Sequence, residues 1–132
     1  MSSCSEYGEI IAIPTTITNK NGQKENVTIY NPVQETPQFV GLINIIKKWV
    51  IEGEFDIDEL IPFISKVMCV VNQAVCSPHA GEYKKKLVLS LMFCCIKVSN
   101  LLVPDKEIAY SIIHHIAPSA IDTIVSIAKG KI

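Results

Sequence analysis

The chain contains no arginine: all twelve of its basic residues are lysine. Specific recognition of phosphates and base edges relies on the planar, bidentate guanidinium. Lysines alone can hold phosphates only as point charges, which argues against specific nucleic-acid binding. A strong field of either sign is also missing. The formal net charge is −1, so nothing steers the chain toward nucleic acid or anionic lipid. The six glycines are scattered, which excludes a glycine-rich phosphate loop. No apolar run is long enough for a membrane span. The best stretch, Leu87 to Val103 (LVLSLMFCCIKVSNLLV), is interrupted by Lys97, Ser99 and Asn100, whereas a span needs about 20 apolar residues. That stretch predicts a buried core helix instead, and no transmembrane span is expected.

Residues able to do chemistry are equally sparse. Of the three histidines, His114 and His115 are adjacent and point about 100° apart on a helix; with His79 they offer no convergent set. Structural zinc needs three or four convergent ligands, so neither a metal nor a cofactor is expected. The five cysteines are Cys4, Cys69, Cys76, Cys94 and Cys95. Cys69 and Cys76 lie two helical turns apart, too far to bridge, and Cys94 and Cys95 stand together in an apolar run. With an odd number of cysteines and no signal-peptide pattern in MSSCSEYGE, they read as reduced, mostly buried residues of a cytoplasm-like compartment. The sequon Asn26-Val27-Thr28 then has no glycan to carry. No motif supports a Cys–His nucleophile, and the acids cluster where helix capping explains them. The expectation is a protein that is not an enzyme, with no catalytic residues.

What the chain has in abundance is aliphatic surface. Apolar residues make up 48% of it, with 21 Ile against 7 Leu, and the mean hydropathy is +0.31. A chain of 132 residues forms one domain. It carries more apolar surface than one small bundle needs, so part of it is expected to meet another protein surface. The preference for Ile and Lys over Leu and Arg matches AT-rich coding.

The organisation divides at about residue 36. Residues 9–18 (EIIAIPTTIT) and 27–31 (VTIYN) are rich in β-formers. Between them Asn21-Gly22 signals a turn. With a two-residue loop Thr16 would face Val27 and Ile17 would face Asn26, leaving neither face cleanly apolar. Pro14 marks an edge strand. An isolated hairpin is marginal in water, so this one must lie on the helices or be completed by a partner's strand. The first helix starts with Thr36 as N-cap and Pro37 in its first turn. It carries Phe39, Leu42, Ile43, Ile46, Trp49 and Val50 on one face, and Gly53 ends it. An acidic run (Glu52, Glu54, Asp56, Asp58, Glu59) leads into a second helix over about 57–75. Its apolar face is Leu60, Ile64 (or Phe63), Val67, Val71 and Ala74. Ser77-Pro78 repeats the cap signal for a third helix over about 79–102, with the stripe Leu87, Leu91, Cys94, Val98 and Leu101. Pro104 stops it, Asp105 caps a fourth, and Pro118 breaks that one. A last helix, carrying Ile121, Ile124, Val125 and Ala128, closes at Gly130. The predicted fold is mainly α: a four-helix bundle with its last helix split at Pro118 (residues 36–132) and a β-rich hairpin arm (residues 1–35).

The residues placed at a protein–protein contact are Ile11, Ile13, Ile17, Val27, Ile29 and Tyr30 on the arm, with Trp49 at the end of the first helix as core anchor or hot spot. Lys84, Lys85 and Lys86 oppose the dipole of the third helix. They read as a solvated face or as a patch for an acidic partner.

The C-terminal stretch IIHHIAPSAIDTIVSIAKGKI resembles the ends of small helical proteins of large nucleocytoplasmic DNA viruses. There an Ile-rich helix, a proline and an IDTIV.IAKGK-like tail recur. The resemblance covers residues 112–132 and implies a virion-associated or minor capsid component; it transfers no catalytic residue. Three functions follow from the sequence. The first is a structural protein that self-associates or joins a larger shell. The second is a regulatory adaptor that takes a partner helix in a groove. The third is a weak, lysine-mediated binder of nucleic acid or membrane surface.

Overall fold

The computed structural model describes residues 8–51, 57–74, 81–99 and 101–128. In chain order the elements are β1 (Ile10–Thr18), β2 (Lys24–Pro32), α1 (Pro37–Ile51), α2 (Ile57–Ala74), α3 (Gly81–Val98) and α4 (Val103–Ala128). The expected helix ends at Gly53 and Gly130, the acidic run over 52–56 and the Ser77-Pro78 cap lie outside the described residues.

The two strands pair antiparallel, with Ile13 opposite Ile29, Thr15 opposite Val27 and Ile17 opposite Glu25. The loop therefore has three residues, not two. Gly22 N–H donates to the Asn19 carbonyl at 2.9 Å, and Asn19 N–H to the Gln23 carbonyl at 2.9 Å. Gly22 takes φ +79°, while among the described residues no non-glycine residue has positive φ. A type I′ turn needs positive φ at both Asn21 and Gly22. Here the chain makes a type I turn followed by a left-handed glycine, the usual three-residue hairpin. The Asn19 side chain secures it by accepting from the Asn21 and Gln23 amides. The one-residue change of register has a large effect: Ile11, Ile13, Ile17, Val27 and Ile29 now share one face of the ribbon.

Thr36 caps α1 as the sequence predicts, its hydroxyl accepting the Phe39 amide at 3.2 Å. Phe39, Leu42, Ile43 and Ile46 are buried, as are Leu60, Phe63, Ile64, Val67 and Val71 of α2. In α3 every residue from Leu87 to Ile96 is buried. A helix apolar on all sides belongs in the interior, and α3 touches α1, α2, α4 and both strands. Within this run the Ser90 hydroxyl has no partner among the described residues.

Three expectations for the later helices are corrected. Helix α3 stops at Val98, where the Ser99 hydroxyl takes the Ile96 carbonyl at 2.6 Å; Val98 is exposed, so the stripe ends at Cys94 and Cys95. Pro104 and Asp105 lie in the first turn of α4, which starts at Val103, with Lys106 N–H bonded to the Leu102 carbonyl. Pro118 does not split the last helix: α4 runs as one element through it. Proline in a helix interior sacrifices one hydrogen bond and crowds the preceding turn. Burial of Ile113, Ala117 and Ile121 on both sides of it holds the helix in place. The innermost stripe of α4 is Ala109, Ile113, Ala117 and Ile121, with Ile108, Ile112 and Ile116 only half-buried. No helix among the described residues is long and apolar enough to cross a membrane.

Candidate functional site

Helix α4 clasps the hairpin through a polar stripe at helical spacing: Glu107, Ser111, His114 and His115. The amide of Thr18 donates to Glu107 Oε2 at 2.6 Å, and the amide of Thr28 donates to His114 Nδ1 at 3.0 Å. In an antiparallel pair alternate residues turn their backbone groups outward. Thr18 and Thr28 are two of these, so α4 satisfies one outward amide on each strand. His114 can accept only while Nδ1 carries no proton. The Ser111 hydroxyl donates to Glu25 Oε1, and His115 Nε2 lies 2.8 Å from Glu25 Oε2. The Ser111 hydrogen bond and then the His115 one hold the Glu25 carboxyl below the ordinary glutamate range, against the opposing effect of burial. In the sequence these histidines offer no convergent ligand set, and their contact with the hairpin is not visible there. The signal that would have found the clasp is the polar stripe itself, on a helix otherwise rich in isoleucine.

The clasp divides the apolar face of the hairpin. Near the turn, where α4 crosses, Ile17 and Val27 are 3% and 2% exposed. Both belong to the contact residues the sequence suggests, and in this structure they are buried within the chain. Ile29 and Tyr30 are half-buried against the core. Ile11 and Ile13, on the same face as Ile17, emerge at 38% and 36% exposure. At the open end it is Ile10, on the opposite face, that joins the core. A two-stranded ribbon twists strongly, so the face turned inward at the turn faces outward at the open end.

Strand β1 is the outer edge, because α3 packs chiefly against β2. Its outward residues Ala12, Pro14 and Thr16 are exposed. Pro14 sits where its missing N–H costs the ladder nothing, as an edge strand allows. Trp49 lies in α1, with its side chain outside the described residues.

A second feature is an open groove of about 710 Å³ between α2, α3 and α4. Met68, Val71, Val88, Ile121, Ile124 and Val125 form its apolar lining, and Ser65, Asn72, Glu82, Lys84 and Asp122 contribute polar groups. Lys85 and Asp122 form an ion pair of 3.0 Å on its wall. Lys85 is thus engaged within the chain, while Lys86 is exposed and Lys84 lines the groove. Among the described cysteines Cys69, at the same groove, is exposed, while Cys94 and Cys95 are buried. Burial, and then Glu35, pushes the Cys94 thiol up to about 11. Burial, and then Cys94, pushes the Cys95 thiol up to about 12. Both are poor nucleophiles near neutral pH.

Among the described residues no three His, Cys, Asp or Glu side chains are grouped so as to hold a metal ion. No protein-family model, curated protein or solved structure matches this chain.

Proposed function

We propose that the chain is a non-enzymatic assembly protein: a helical-bundle body that presents a docked hairpin to a neighbouring protein molecule. One observation carries this reading. An uncharged outer strand, whose edge backbone groups from Ile10 to Thr16 have no partner among the described residues, shows two adjacent same-face isoleucines, Ile11 and Ile13, to solvent. Natural edge strands are commonly blunted by charge; β1 has none from Ile10 to Thr18 and only Pro14 to interrupt it. A minor capsid or virion component is the form of this function that the resemblance of residues 112–132 implies.

The groove supports a second reading, an adaptor that takes an amphipathic partner helix against Met68, Val88 and Ile121. The lysine-mediated reading has less support, since Asp122 neutralises Lys85. Sedimentation of the full chain across a wide concentration range separates the readings. An assembly protein shows a mass that rises with concentration. A monomer at every accessible concentration favours the adaptor.

A further inference from the structure

We infer that β1 is a homotypic docking edge, pairing antiparallel with β1 of a second copy of this chain about a two-fold axis at Ile13. This rests on the assembly reading and names its partner. The outward backbone groups of β1 belong to Ile10, Ala12, Pro14, Thr16 and Thr18, and the Thr18 amide is already held by Glu107. The pairing must therefore use Ile10 to Thr16. With the axis at Ile13, Ile10 meets Thr16 of the second copy and Ala12 meets its Pro14. Every outward bond in that stretch then forms except those of the two missing proline N–H groups. An axis at Pro14 would set proline against proline at the centre. An axis at Thr15 would require the Thr18 amide.

The side chains agree with this register. Ile13 falls opposite Ile13 of the second copy in a non-hydrogen-bonded pair, where Cα atoms approach to about 4.5 Å. Ile11 falls beside it, so the exposed isoleucines cover one another across the axis, and β-branched cross-strand pairs stabilise sheets. Charge favours the antiparallel direction: parallel pairing would place Glu9 beside Glu9, whereas antiparallel pairing separates the two and carries each toward a turn end that holds Lys20 and Lys24 as well as Glu25 and Glu107. A pair of strands alone buries less than the roughly 1,200 Å² of a standard interface, so the dimer is weak and its population follows concentration.

The test is a charge swap in the full chain, with Ile13→Lys and Ile13→Glu read by sedimentation up to about 1 mM. Ile13 is 36% exposed, so both variants are expected to keep the wild-type circular dichroism and thermal midpoint, which are measured alongside. Each variant alone puts like charges face to face across the axis, and its dissociation constant rises at least about tenfold. An equimolar mixture of the two regains the dimer. If a variant alone dimerises as the wild type does, or if the mixture stays monomeric while the wild type dimerises, this edge is not the contact and assembly by another surface still stands. If the wild type is monomeric throughout, both fall.

Discussion

At Glu25 one carboxylate accepts from the Ser111 hydroxyl and pairs with the His115 ring, so its protonation is coupled to how the hairpin sits on α4. The folded state holds this carboxyl below its ordinary range, through Ser111 first and His115 second. A depressed folded pKa means that the folded state binds fewer protons than the unfolded chain in that window. The contribution is therefore present in full above the ordinary glutamate pKa of about 4.3 and is lost as pH falls through the lower folded value. Urea midpoints of the wild type should drop across that acidic window. Glu25→Gln should lower the midpoint at neutral pH and flatten the acidic drop; an unchanged drop would place its origin in other carboxylates.

The register of the hairpin depends on one glycine. Gly22 has φ +79°, and a Cβ built there meets nothing within 4 Å. The cost of a side chain at this position is therefore backbone strain alone, about 1 kcal/mol for an L-residue in the left-handed region. Gly22→Ala should lower stability by about that amount in urea unfolding, and Gly22→Asn by less, since asparagine tolerates this conformation. Equal losses for both would point to a different turn. This element also marks how far the sequence could be read. The turn at Asn21-Gly22 and both strands were legible from local chemistry. The loop length was not, because the same dipeptide serves a two-residue loop with positive φ at both residues and a three-residue loop with positive φ only at the glycine. The face shared by Ile11, Ile13, Ile17, Val27 and Ile29 stayed hidden with it. Likewise Pro118 announced a break, and the burial of Ile113, Ala117 and Ile121 around it, a tertiary effect, overrode that local signal. Of the seven candidate contact residues, β-propensity placed six on the hairpin, but only packing against α4 separates the interior pair Ile17 and Val27 from the exposed pair Ile11 and Ile13.

Across the whole molecule the central question is whether the hairpin is an appended arm or part of one cooperative unit. Helix α3 touches the other three helices and both strands, and Leu91 at its middle is fully buried. The hairpin is tied into the same core by Ile10, Ile29 and Tyr30. Two long-range bonds add to this: the Tyr83 hydroxyl to the Gly8 carbonyl at 2.6 Å, and the Thr28 amide to His114. A hairpin that is marginal by itself and shares its buried side chains with α3 should lose its structure when α3 does. Leu91→Ala leaves a cavity where all the layers meet and should cost about 2–5 kcal/mol. The loss should be uniform: the amides of β2 and those of α2 should lose hydrogen-exchange protection by the same factor, in a single unfolding transition. If the β2 amides instead exchange at an unchanged rate while α2 weakens, the hairpin is a separate unit. Cooperative loss would mean that the outer edge of β1 is held by the entire helical core, which spares a partner strand the entropic cost of ordering it.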